Sequence, residues 1–310
     1  MDKLINANPA NKPAIIREEF MKMLFVENII ITLSLIYFFI FFRTSKPPTP
    51  PSHAASRNRT SISQGFIQDT KILFKNTNYI LIVSVFTFMY CVYASFGFFV
   101  ASILYPFGYS LPMIAVMAVT FVLIGAPSAA MSGKLLDRTG KYVLMLKAIC
   151  FMTVVVVASA YLLFPTGKLW AGELWCILAG FFIVPIVPVS FNFISEVTFP
   201  LAPAWALNLA LIIANIGLTI VNYIDVLLLL PIGNAQEGVF FLIGSMVILA
   251  LCALLLAFFV KEDLRRKNYA QDIMERPKSF ASSVANSNNL TKSMHSDVTA
   301  VTSNDPFSAQ

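Results

Sequence analysis

The residues able to do polar chemistry fall in three small groups, each set in apolar sequence. The first is SGKLLDRTGKY at 132–142, where Lys134, Asp137, Arg138 and Lys141 carry charge between two long apolar runs. Gly133 would let a neighbouring backbone approach closely, and Gly140 permits a left-handed helix end. Asp137 is placed to cap the N-terminus of a neighbouring helix, where partial positive charge collects. Arg138 is placed to pair with a carboxylate across the gap, and Glu196 is the candidate partner. The plainer readings are a basic membrane anchor for the turn and a solvated interfacial acid for Glu196.

The second group is Asn208, Asn215 and Asn222, which repeat every seven residues, with Asp225 three residues on. Seven residues are close to two helical turns, so the three share a stripe that Asp225 extends. Polar side chains in a membrane span usually face a bundle interior or a watery cavity. Hydrogen bonding between helices, with no ligand, is the alternative. The third group is aromatic: Phe86, Tyr90, Tyr93 and Gly97 recur at helical spacing, with Phe98 beside them. Aromatic faces bind quaternary ammonium cations. Packing is the competing use, in a chain with 28 Phe.

Catalytic chemistry is not expected. The sequence contains no HExxH, Walker loop, GxGxxG or GxSxG. His53 and His295 sit in polar segments, and Cys91, Cys150, Cys176 and Cys252 all fall in apolar runs, where thiols act as small hydrophobes. No metal, cofactor or nucleic-acid partner is expected.

The elements that carry these groups are membrane spans. The 310-residue chain is 57% hydrophobic and 12% charged, against roughly 25% charged in soluble domains, and its mean hydropathy is +0.75. Runs of about 20 apolar residues cross the bilayer, and they must be helical because lipid satisfies no backbone polar group. Seven runs qualify, at 21–42, 79–102, 112–133, 142–164, 172–195, 204–230 and 239–260. The fold class is therefore an all-α polytopic membrane protein. Pro185 and Pro188 should break the helix at 172–195.

Residues 1–20 read as a polar segment and 43–78 as a Pro/Ser-rich basic linker separating one span from a block of six at 79–260. Residues 261–310 read as a largely disordered tail. Basic ends alternate with charge-poor ones, and the basic ends belong in the cytoplasm. That places linker and C-terminus inside and the N-terminus outside, which Lys3, Lys12, Arg17 and Lys22 fit poorly. The sequons at Asn58 and Asn289 fall on the inner side and should go unused.

The pattern Gly133-x-Leu135-x-Asp137-Arg138-x-Gly140-Lys141 resembles the signature turn of major facilitator transporters, which recurs between the second and third helix of each six-helix half. There the Asp and Arg help hold the cytoplasmic gate shut. GFFIVPIVPVSFNFISEVTFP at 180–200, VKEDLRRKN after the last span and KPPTPPSHAAS in the linker narrow the likeness. Together they resemble the feline leukaemia virus subgroup C receptor-related family, carriers of choline, ethanolamine and haem-related cargo. The resemblance implies a major facilitator bundle, alternating access, no enzymatic activity and a small organic solute as partner. It places a cargo-contacting amide at Asn215 and an aromatic at Phe98. Asn192 stands where the family tends to carry an acid, and LAPA at 201–204 departs from the family's acid and Gly.

The superfamily clasps cargo between two six-helix bundles, and here a single span precedes the linker. The expectation is a C-terminal half plus one helix, lacking its N-terminal half. A half that pairs with another subunit, without transporting alone, is the alternative. A seven-helix receptor is a distant one: Asp137-Arg138-Thr139 follows the third span, but the last span lacks Asn-Pro-x-x-Tyr.

Overall fold

A computed structural model of the chain describes residues 12–41, 66–229 and 235–269, which are helical or in turns, with no strand. They contain seven helices or helix pairs long and apolar enough to span a membrane. Two compact units divide the chain, residues 1–51 and 52–310. The first unit contributes α1, Lys12–Phe41. Polar side chains within its apolar run bond to the helix itself: Asn28 Nδ2 donates to the Leu24 carbonyl at 2.9 Å and Thr32 Oγ1 to the Asn28 carbonyl at 2.7 Å.

The second unit begins with a short amphipathic helix, α2 (Phe66–Lys75), and continues with α3 (Thr77–Leu104), α4 (Leu111–Thr139) and α5 (Tyr142–Leu163). It then runs through α6 (Leu169–Ile183), α7 (Ile186–Val197), α8 (Pro203–Leu229) and α9 (Ala235–Phe259). The linker expected at 43–78 therefore ends early. Leu73 of α2 is buried and packs into the bundle core, so residues 66–75 belong to the bundle. The Asn76 side chain starts α3 by accepting from the Asn78 and Tyr79 amides, an ordinary N-cap. Residues 42–65, with His53 and the Asn58 sequon, lie outside the described residues, as do 270–310 with His295 and the Asn289 sequon.

α3 is the central post, packing against α9, α8, α7 and α4. Buried side chains form two stacked clusters along it. One surrounds Tyr79, Phe86 and Phe193 at the end bearing the basic turn; the other surrounds Phe96, Phe164 and Trp175 at the opposite end. Small residues make these contacts close. Ala206, Ala210 and Ala214 repeat every fourth position on the buried face of α8, and Ala250, Ala253 and Ala257 serve α9. The four cysteines are free thiols, three of them buried.

The expected helix break is present and more local than the two prolines predicted. α6 ends at Ile183 and α7 starts at Ile186. Pro185 has no N–H, so the Phe181 carbonyl loses its donor; the Ser128 hydroxyl of α4 donates to it instead. Pro188 makes no second break. It stands in the first turn of α7, where amides have no intrahelical partner anyway, and the Val184 carbonyl is taken by the Val187 amide at 3.4 Å.

The charged turn is also tighter than expected. α4 continues to Thr139, so Lys134, Asp137 and Arg138 ride on its last turns and only Gly140 and Lys141 link it to α5. Gly140 adopts φ 63°, the left-handed helix end anticipated for it. Gly133 makes no close approach: an added Cβ would meet nothing within 4 Å. A close backbone approach occurs elsewhere on α4, at Gly180 of α6, where a Cβ would fall 2.5 Å from the Phe121 carbonyl oxygen. Gly180→Leu should therefore force α6 from α4 and cost about 1–3 kcal/mol. Gly97→Leu, on an open site, should be nearly neutral. Thermal unfolding of the two variants in detergent checks the contrast.

Candidate functional site

At the basic end of the bundle, Asp137 and Arg138 are exposed, and among the described residues neither side chain has a hydrogen-bond or ion-pair partner. The roles anticipated for them inside this bundle are taken by the segment after α9. Lys141 sits at the N-cap of α5 and offers no acceptor. The Tyr142 amide donates instead to Glu262 Oε1 at 3.0 Å, so Glu262, not Asp137, caps α5. Glu196 is buried, and its Oε2 accepts the Lys267 amide at 3.0 Å; no ion pair joins it to Arg138. It is thus neither a solvated acid nor Arg138's partner here. Its carboxylate faces the amides of the helical residues 265–269, where a negative charge is favoured.

The same segment is pinned at two further points. Asn78 at the start of α3 donates to the Lys261 carbonyl at 2.8 Å and accepts its amide at 3.0 Å. The Phe199 and Tyr269 rings lie 5.1 Å apart. Residues 261–269, read from sequence as the start of a disordered tail, are therefore a clasp. The clasp closes over α3, α5 and α7.

The asparagine stripe divides. Asn208 and Asn215 are exposed and line one shallow groove with Ile212 and Thr219. Asn215 Nδ2 donates to the Leu211 carbonyl of its own helix at 2.8 Å, leaving its amide oxygen without a partner among the described residues. Asn222 turns inward and accepts from Ser95 Oγ of α3 at 2.7 Å. Asp225 is fully buried, with Oδ1 accepting from Ser245 Oγ of α9 at 2.8 Å. It does not extend the open stripe. At about 100° per residue, Asp225 stands about 100° round the helix from Asn208, enough to face α3 and α9.

The aromatic residues form a ladder: Phe86 to Tyr90 at 5.5 Å, Tyr90 to Tyr93 at 6.2 Å, and Tyr93 stacked on Phe121 of α4 at 6.1 Å. Tyr90 and Tyr93 are half-buried on α3, which packs directly against α8. Phe98 is exposed and lines a small cleft with Tyr93 and Phe121, at the end of that ladder. Asn192 is exposed on α7, which packs against both α3 and α8. The arrangement presents amides on two helices and phenol rings on a third, with no nucleophile or acid–base pair among them.

The model of the Major Facilitator Superfamily matches residues 22–204. The chain belongs to this superfamily. Among curated proteins it is similar to the choline/ethanolamine transporter FLVCR2 of Homo sapiens, 27% identical over 82% of this chain and 48% of the relative. The same transporter in Rattus norvegicus is 27% identical over 82% of this chain and 46% of its own length. Solute carrier family 49 member A3 of Xenopus tropicalis is 28% identical over 56% of this chain and 36% of the relative. The chain thus spans about half the length of the curated relatives it matches.

In this superfamily member, the sequence reading missed Glu262, Lys267, Asn78 and Ser128. The side chains of Glu262, Asn78 and Ser128 act on distant backbone groups, and Lys267 gives its own amide to the distant Glu196 carboxylate, so no local spacing marks them; KEDLRRK reads only as a charged stop after an apolar run. The Glu262 cap can be tested directly. Glu262→Ala should destabilise the bundle by about 1 kcal/mol and speed hydrogen exchange at the Tyr142 amide. Glu262→Gln, which keeps an acceptor, should lose less on both measures.

Proposed function

We propose that the bundle is the cargo-facing part of an alternating-access carrier for small organic cations of the choline and ethanolamine type, with haem-related solutes the second cargo class. Two observations support this reading: the open groove of Asn208 and Asn215 on α8, and the half-buried Tyr90–Tyr93 pair on α3, a helix that packs against α8. A quaternary ammonium group is attracted to ring faces, while a hydroxyl or amine at the other end of the cargo bonds an amide side chain. Asn192, exposed on α7, which packs against both helices, would supply a further amide. Phe98 would contact cargo nearer the opposite end, and Asn222 acts indirectly, holding α8 to α3.

A polar face open on a membrane bundle needs a cover. A second six-helix bundle, from the same polypeptide or a partner subunit, fits the superfamily's architecture. The unpartnered Asp137, at the end of α4, would engage that bundle when the inner gate closes, with Gly140 setting the turn and Arg138 and Lys141 beside it. On the positive-inside rule the basic end, and the C-terminus with it, lies in the cytoplasm. Glu196 would serve the gate by anchoring the clasp beneath it.

The test is binding of tritiated choline to the purified chain and uptake into cells expressing it. Asn215→Ala should weaken choline binding about tenfold, the loss of roughly one hydrogen bond, and Tyr90→Leu should weaken it by several-fold. Unaltered affinity in both variants would overturn the cargo site. Binding without uptake would instead favour a half that works only with a partner. In a transport-competent assembly Asp137→Asn should raise the reactivity of a Thr139→Cys thiol toward a polar reagent; equal reactivity with and without the Asp would remove the gate role.

A further inference from the structure

Three cations of the basic turn, Lys134, Arg138 and Lys141, have no use in the clasp or in the asparagine groove. Lys134 and Arg138 are four residues apart and so are neighbours on α4; Asp137, three residues from Lys134, neighbours it too but does not line the groove that the cations share. All three cations line a single groove of about 690 Å³ between α4, α5 and α6. Among the described residues none of the three side chains has a hydrogen-bond or ion-pair partner. Beyond the charges the walls are mostly apolar: Met131, Leu144, Ala148, Met152 and Phe181 line the groove and are exposed, and the hydroxyls of Ser128, Ser132 and Thr139 in the lining each donate to a backbone carbonyl. In a membrane protein such exposed apolar side chains face lipid chains.

We propose that this groove holds one phospholipid with a net negative headgroup, its phosphate on Lys134, Arg138 and Lys141 and an acyl chain along α5. The dimensions fit. From Lys141 to Met152 along α5 is about 16 Å at roughly 1.5 Å per residue, close to one leaflet of a hydrocarbon core about 30 Å thick. The charge fits as well: three unpaired cations meet an apolar slot, and basic pockets between spans are sites for anionic headgroups. A zwitterionic lipid would gain less, because its own ammonium opposes the three cations. The site depends on the membrane spans alone, not on the cargo assignment.

Native mass spectrometry of the purified full chain, titrated with dioleoyl phosphatidylserine or dioleoyl phosphatidylcholine, tests it. One phosphatidylserine should remain bound where phosphatidylcholine does not. Lys134→Gln should weaken retention about fivefold, the effect expected for one basic residue near an anionic surface. Ala148→Trp, which fills the slot at a lipid-facing position, should abolish the tight adduct while leaving every charge in place. Equal retention of both lipids would overturn the proposal, as would phosphatidylserine retention unaffected by both variants. Displacement of the lipid by equimolar inorganic phosphate would overturn it too, by showing a phosphate site with no role for the chain. Size-exclusion profiles establish that each variant is folded; should Lys134→Gln fail that check, Ala148→Trp decides alone.

Discussion

Hydrocarbon offers no hydrogen bonds, and the whole bundle follows from that constraint. Where the helices are regular the requirement is met without help. Where the fourth span of the bundle breaks at Val184–Pro185, the freed Phe181 carbonyl is met by a hydroxyl from α4. That bond fixes which face of α4 meets the break. The same seam brings Gly180 against the Phe121 backbone. Breaking one helix is tolerable only because its neighbour supplies a polar group at the right depth, so α4, α6 and α7 are positioned together.

At the basic end the problem is solved by carboxylates. A helix start leaves amides unpaired. Lys141, before α5, has no acceptor to give. Glu262 reaches across from the segment after the last span to supply one, while Glu196 returns the favour to that segment's own helical turn. Two acids are thereby withdrawn from the basic surface. The cations of the turn are left in excess, which is why that surface can act on anionic groups outside the bundle.

The architecture was legible because each span repeats one signal many times. A run of 22 or more apolar residues survives any single exception, and all seven expected runs correspond to observed spans. Local chemistry was legible where cause and effect share a turn: Gly140 takes the left-handed conformation that its position after a helix implies, and Pro185 removes its own donor. Pairings across the fold were not. Asp137 and Glu262 carry the same group, and only the path of the chain after α9 decides which reaches the Tyr142 amide. Likewise Glu196 faces Lys267, not Arg138, because α4 stays helical to Thr139 and carries Arg138 outward.

The asparagine stripe shows how a small geometric mismatch assigns roles. A straight helix drifts about 20° per heptad, so residues seven apart share a face only approximately. Over two heptads from Asn208 to Asn222 the drift reaches about 40°, and Asn222 meets Ser95 while Asn208 and Asn215 stay open. Asp225 rotates further and is fully buried against α9. One helix thus uses the same kind of side chain for two purposes. Its distal third ties α8 to α3 and α9, while its proximal two-thirds keep amides available. A bundle that holds its helices together while presenting polar groups needs both, and the drift of the helix separates them.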